Sequence, residues 1–315
     1  MKMKETVKRL SPRRKGKHGL KETLSLDLMV LPGMLLLLVF NYIPMLGLPI
    51  AFKDFNPNLG IFGSEWNGFD NFKFFFTSQD AVRTIGNTLR YSITFLVLDL
   101  LCAVGLALMF YNLRSRRALK VYNTVVILPK FLSAVIIAFL VYIVLNPSYG
   151  LLNQLIKAMG GKKIQWYSDP KYWPFILTIT HVWQTVGMNS IIYYASLMGL
   201  DDSLLEAARL DGANKWQETW NVVIPHLIPV MVINTILNMG RIFTGDFGLF
   251  YQTPKDVGAL YATTDIINTY TYRTLMDGNF ARSAAIGLFQ SVVGTALVLI
   301  TNQIVRKVSP EHALF

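Results

Sequence analysis

The stretch Thr88–Phe110, TLRYSITFLVLDLLCAVGLALMF, decides how this chain folds. Its apolar residues run on without the strict alternation of a half-buried strand, and Arg90 and Asp99 are its only charged residues. A membrane helix needs about 20 such residues to cross the hydrocarbon core. A barrel strand would instead alternate apolar and polar positions. The segment therefore reads as a transmembrane helix.

Working outward, five more stretches share this character: Leu28–Ile50, Val121–Leu145, Trp173–Met198, Leu227–Phe243 and Ser283–Ile304. The expected fold is an all-α polytopic membrane protein with six transmembrane helices. The fifth stretch is short and runs into Gly240, Gly245 and Gly248, which leaves its outer end the least defined. Composition agrees, because 52% of the 315 residues are hydrophobic and only 16% are charged. Soluble domains average about 25% charged, and a disordered chain would lack this apolar content. The single cysteine, Cys102, rules out a disulfide scaffold.

The net charge of +11 reads as a sidedness signal. Nine Lys and Arg residues precede Asp27: Lys2, Lys4, Lys8, Arg9, Arg13, Arg14, Lys15, Lys17 and Lys21. With Arg114, Arg116, Arg117, Lys120, Arg209, Lys215, Arg306 and Lys307, seventeen of the 30 basic residues fall on one side. By the positive-inside rule that side is the cytoplasm, so both termini are expected there, in the cell membrane. The expected organisation is a basic cytoplasmic tail (1–27), a six-helix permease domain (28–308) with a cytoplasmic loop (201–225), and a short tail (309–315). A cleaved signal peptide fits less well, because the first apolar run is longer than a signal core. The basic tail offers no aromatic residue to stack a base, so no nucleic-acid partner is expected; anionic lipid is the natural neighbour.

Between the fourth and fifth stretches the chain reads Asp201-Asp202-Ser203-Leu204-Leu205-Glu206-Ala207-Ala208-Arg209-Leu210-Asp211-Gly212-Ala213. Ser203 suits an N-cap, with Glu206 three residues on to complete a capping box. Gly212 suits the left-handed residue that stops a helix. A second helical piece carries Trp216 and Trp220 on one face until Pro225 is expected to interrupt it. Chemistry alone leaves two uses open for this apolar knob: docking a partner, or packing under its own bundle.

Glu206-Ala207-Ala208, then Gly212, then Val222-x-Ile224-Pro225 resembles the EAA motif, E-A-A-x3-G-x9-I-x-L-P, of permease subunits of binding-protein-dependent type I ABC importers. Val222 and Ile224 depart conservatively from that pattern. Asp211-Gly212-Ala213 is similar to the form found in carbohydrate permeases, and the pattern extends over residues 28–308. It includes Asn87-Thr88, Leu128-Pro129 and Gly150-Leu151-Leu152-Asn153, and the ending Glu311–Phe315 looks like that of oligosaccharide permeases.

The resemblance implies the type I importer fold and a coupling site made of Ser203, Leu204, Leu205, Glu206, Ala207, Ala208, Asp211, Gly212 and Ala213. It implies four kinds of partner: a second, paralogous permease subunit, two copies of a cytoplasmic ATPase, an extracytoplasmic solute-binding protein and a sugar. The outer segment 244–282, expected to include re-entrant or surface structure, would receive the binding protein together with loops 51–84 and 146–172. ATP and Mg would be held by the ATPase, with no cofactor, metal or catalytic residue in this chain. The sequence agrees, since no G-x4-G-K-[ST] or H-E-x-x-H is present and the four histidines are scattered. A permease for an amino acid, polyamine or anion is the alternative, and an intramembrane enzyme or scaffold a more distant one.

Polar residues at membrane depth cost about 2.5–3.5 kcal/mol each on insertion scales, so each asks for a partner. Asp99 and Lys130 fall at similar depth on consecutive antiparallel spans and are candidates for an ion pair. Asn234, Asn238 and Arg241 form one helical stripe. With Trp183, Gln184, Asn189 and Tyr193 they are the candidates for lining a sugar cavity. Hydrogen bonding between helices is the other use such amides find.

Overall fold

The computed structural model describes residues 20–308, with side chains over residues 28–307; most of the basic tail and residues 309–315 lie outside the described residues. The chain divides into two units, residues 1–49 and 50–315.

In the first unit, α1 (Leu20–Leu37) contains Pro32 and continues through a π-helical turn, Leu38–Tyr42, into a 3₁₀ run, Ile43–Phe52. Residues Leu28–Phe52 make a stretch long and apolar enough to cross a membrane, and from Leu28 to Leu46 nearly all its large side chains are exposed. Apolar surface on every side is what a helix facing lipid shows.

The second unit opens with a two-stranded antiparallel hairpin, β1 (Lys53–Asp54) and β2 (Glu65–Trp66), pairing Lys53 with Trp66. Lys53 Nζ donates to the carbonyls of Ile61 and Ser64, closing the hairpin loop that holds α2 (Gly60–Gly63). After α3 (Asp70–Thr77), Ser78 caps α4 (Gln79–Tyr111) by accepting the Ala81 N–H. At 33 residues α4 is about 50 Å long, well beyond a hydrocarbon core. Its first turns thus extend the expected span at its N-terminal end.

The third apolar stretch is not one straight helix. It consists of α5 (Arg116–Ile127), a 3₁₀ turn at Leu128–Phe131 and α6 (Ala134–Leu145), with a bend of 99° between its halves. Pro129 withholds an N–H and disfavours helical geometry at the residue before it, and Ser133 restarts the helix by accepting the Ile136 N–H.

Next come α7 (Leu151–Ala158) and α8 (Trp173–Leu197), which lies along α4. Then follow α9 (Asp202–Leu210) and α10 (Lys215–Glu218), a π-helical turn at Thr219–Val223, and α11 (Ile224–Met239). Pro225 does not interrupt this last run as expected. The wide π turn just before it takes up the missing hydrogen bond, so Lys215–Met239 forms one 25-residue helical path. The segment beyond folds into α12 (Phe247–Gln252), α13 (Tyr261–Thr264) and α14 (Ile267–Met276), and α15 (Phe280–Val308) ends the described chain.

Among the described residues, four helices are long and apolar enough to cross a membrane, five if the bent pair counts as one span. α8 is long enough, but His181, Gln184, Thr185, Asn189 and Ser190 make it more polar. Three buried clusters hold the unit together. One joins Ala103 and Ala107 of α4 to Tyr193, Leu197, Leu205, Val223 and Leu227. Another gathers Tyr91, Phe95, Trp173, Leu177, Leu249, Phe250 and Ile266, and the third Phe75, Ala81, Phe243, Ile267 and Ile286. The 244–282 segment contributes Leu249, Phe250, Ile266 and Ile267 to these clusters.

Candidate functional site: an exposed loop helix and a polar cavity

Helix α9 begins two residues earlier than the sequence suggests. Its cap is Asp201, not Ser203: Asp201 Oδ1 accepts the Ser203 N–H at 2.9 Å, and Glu206 makes no capping bond there. A short carboxylate two residues before an N–H makes this turn readily, and the same bond holds the Asp201 carboxyl below its ordinary pKa. The capping box falls at α10 instead, where Asn214 and Gln217 exchange hydrogen bonds.

The other end of α9 is as the sequence indicates. Gly212 sits at φ +85°, its N–H donates to Arg209 O, and the Ala213 N–H donates to Ala208 O. These are the two bonds of a Schellman stop. Arg209 then reaches Glu218 on α10 with Nε at 2.9 Å and Nη2 at 3.3 Å, and Lys215 Nζ adds a third contact at 3.2 Å. Glu218 is buried and fixes the angle between α9 and α10. It stands nine residues beyond Arg209, too far for a helical spacing rule to flag it.

The apolar knob packs in part under its own bundle and leaves the rest of its surface exposed. Leu205 is buried in the cluster with α4, α8 and α11. Leu204 and Leu210 are exposed, as are Ser203, Glu206, Ala207, Asp211 and Gly212; Ala208 and Ala213 are half-buried. Trp216 and Trp220 meet edge to face at 5.6 Å and stay exposed. One leucine thus anchors a helix whose other face is free.

Deeper in the bundle, α4, α8 and α11 enclose a cavity of about 290 Å³. Its walls include Asp99, Asn189, Tyr193, Asn234, Thr235, Asn238 and Arg241. A second cavity of about 160 Å³ shares Leu96, Asp99, Asn238 and Arg241 with the first and adds Phe95, His181 and Asp246. Five of the seven residues expected to line a cavity do so: Asn189, Tyr193, Asn234, Asn238 and Arg241. Trp183 and Gln184 are not among the lining residues. At 100° per residue they point roughly 120–140° away from Asn189 around α8.

Asp99 and Lys130 do not pair. Asp99 Oδ1 accepts the Thr185 hydroxyl at 2.8 Å, and its Oδ2 lies 3.1 Å from His181 Nε2. Lys130 sits exposed in the 3₁₀ turn and joins none of the ion pairs found among the described residues. The reason is the bend after Ile127, which removes Lys130 from a straight helix beside α4. His181 and Thr185 stand i, i+4 on α8, a spacing that reveals a common face but not the acid it serves.

Beyond the cavity, Asp265 carries a buried network. Its carboxylate meets Arg83 at 2.7 Å, Arg273 at 2.5 Å and the Thr269 hydroxyl at 2.8 Å, while Asn87 donates to its carbonyl. Asn153, in α7, is likewise buried and holds Pro147 and Ile164.

Residues 100–310 match the family described as binding-protein-dependent transport system inner membrane component. The chain is 33% identical over 287 residues to the polygalacturonan/rhamnogalacturonan transport system permease protein YteP of Bacillus subtilis, covering 91% of this chain and 89% of that one. It is 32% identical over 294 residues to Protein LplB of the same organism, covering 93% and 92%. A chain in the crystal structure of a bacterial ABC transporter involved in the import of the acidic polysaccharide alginate superposes with a TM-score of 0.83. That match has 32% identity and covers 92% of this chain and 97% of the other.

Proposed function

Since this chain belongs to the family of binding-protein-dependent transport system inner membrane components, we propose that it is the permease subunit of an ABC importer for a carbohydrate, specifically an oligosaccharide. It is a multi-pass membrane protein. Six crossings result when α8 and the bent α5–α6 pair are each counted once, and the Lys/Arg asymmetry puts both termini in the cytoplasm. The relatives' names support a sugar as cargo, and amide-rich walls suit hydroxyl groups, which need paired polar partners once desolvated.

A single observation carries the mechanism. Leu205 of α9 lies in the same buried cluster as Ala103 and Ala107 of α4, Tyr193 and Leu197 of α8, and Leu227 of α11. Those three helices also enclose the polar cavity. A push on α9 is therefore delivered to the cavity walls through close-packed side chains, which deform little. The exposed face of α9, Leu204, Glu206, Ala207 and Leu210, docks on a separate ATPase. Two copies of that ATPase bind and hydrolyse MgATP and, by closing, bias the helices between two arrangements. A second, related permease completes the pathway, and the outer segments receive a solute-binding protein.

The test is ATP hydrolysis by the assembled complex in nanodiscs with its binding protein and a panel of solutes. Stimulation by oligosaccharides, lost in Glu206→Arg, is expected. Stimulation by an amino acid, polyamine or inorganic anion alone would replace the sugar in this reading.

A further inference from the structure

Arg241 is the one arginine or lysine side chain lining the two cavities. Its guanidinium is permanently charged, and a charge at membrane depth is expensive unless it is paired or hydrated. Yet among the described residues Arg241 makes no ion pair and no side-chain hydrogen bond; its backbone N–H donates to Asn238 O.

The two acids on the same walls are already engaged. Asp99 has both oxygens turned to α8, one facing His181 and one accepting from Thr185. Asp246 uses Oδ1 to cap α12 through the Leu249 N–H. Both oxygens of Asp99 and one of Asp246 are engaged by the fold, whereas the Arg241 side chain is exposed and open to a group that enters.

We propose that Arg241 recognises a carboxylate on the cargo, so that the carbohydrate carried by this permease contains uronic acid residues. The inference rests on the sugar reading above and narrows it. A single guanidinium matches one carboxylate in charge and in fork geometry, whereas a phosphate dianion would leave charge unmet. Asn189, Asn234, Asn238, Tyr193 and Thr235 supply donors and acceptors for the ring hydroxyls around it. Arg241 stands where the two cavities meet, so the carboxylate of one sugar unit can rest there with its ring in the larger space.

The experiment measures direct binding of tri-galacturonate and of its full methyl ester to the purified complex of this chain, its partner permease and its ATPase. Wild type is expected to bind the acid at least tenfold more tightly than the ester. Arg241→Gln should abolish that preference, and Arg241→Lys should keep part of it, since charge persists without the fork. If Arg241→Gln does not assemble, Arg241→Lys decides, because only acid binding should weaken. Equal wild-type affinity for acid and ester, or a preference that survives in Arg241→Gln, overturns the proposal. Binding of neutral sugars alone would overturn it while leaving the carbohydrate reading intact. Binding of no sugar at all would sink both.

Discussion

His181 Nε2 lies 3.1 Å from Asp99 Oδ2, and the imidazole lies flat on Phe95 with ring centroids 3.7 Å apart. This clip joins α4 to α8 at the depth of the polar cavity. It gives Asp99 a partner on the helix packed along α4, where the order of spans along the chain points to Lys130.

Asp99 and Thr185 should therefore be coupled, and Asp99 and Lys130 should not. Side-chain hydrogen bonds between membrane helices contribute about 0.6 kcal/mol on average and up to about 1.7. A double-mutant cycle of Asp99→Ala with Thr185→Val, followed by thermal unfolding in detergent, is expected to give an interaction in that range. The cycle of Asp99→Ala with Lys130→Met is expected to give none. A larger coupling to Lys130 than to Thr185 would reverse the assignment.

The contrast shows what a one-dimensional reading contains. Spans register as long apolar runs because lipid acts on every residue in them, so all six stretches are helical here. Asn234 and Asn238 are legible because their period belongs to one helix, and Arg241, in the turn just past its end, still lines the same cavity. Trp183 and Gln184 failed for the same reason in reverse: residue type suggested them, but their angular position on α8 turns them away. The break at Leu128–Ser133 had a local signal in Pro129, which Pro225 also had without breaking its helix. What separates them is the π turn before Pro225 and the Ser133 cap after Pro129. Asp265, 182 residues from Arg83, left no trace, since nothing local to either shows that they meet.

Asp265 is the residue whose loss should cost most. Its side chain is fully buried and pairs with both Arg83 and Arg273, which also meet Asp80 and Asp256, so the cluster ties α4 to α14. Removing one partner of a buried charge cluster costs about 3–5 kcal/mol, because the remaining charges lose their compensation. Asp265→Ala should accordingly fall sharply in melting temperature and yield. Exposed Asp54→Ala should do neither, and matching behaviour of the two would count against a structural role for Asp265.

At Gly187, α8 lies against the backbone of α5. A Cβ there would run into the Val126 carbonyl oxygen, which is backbone and cannot turn aside. Gly187→Val should destabilise by at least the 1–3 kcal/mol typical of overpacking. Gly105→Ala on α4, with nothing within 4 Å, should be near neutral in the same melting assay.

The Asp201 cap gives α9 a defined pH response. Its carboxyl is held below the ordinary 3.8 by the Ser203 N–H, so the cap contributes in full above 3.8. That contribution disappears as pH falls through the lower folded value, and none is lost on the alkaline side. Asp201→Ala removes it at every pH and should speed amide exchange over Ser203–Arg209 about fivefold, the usual worth of a cap. Asp201→Asn, which still accepts, should stay near wild type and lose the acid dependence.

Gly212 tests whether the shape of the loop, rather than its chemistry, transmits force. It sits at φ +85° with no atom within 4 Å of a would-be Cβ, so a side chain meets no obstacle there except its own backbone. A left-handed conformation costs an alanine about 1–2 kcal/mol, while asparagine visits it more readily. That penalty falls on the Schellman stop, which directs the chain from α9 to Asn214 and sets where Arg209 meets Glu218. Gly212→Ala should leave the melting of the membrane helices unchanged, because none of their buried clusters includes residue 212. It should lower solute-stimulated ATP hydrolysis by the complex severalfold, with Gly212→Asn in between. Equal activity in all three would mean that α9 can reorient freely and that the rigid path from Leu205 to the cavity is not what transmits the stroke.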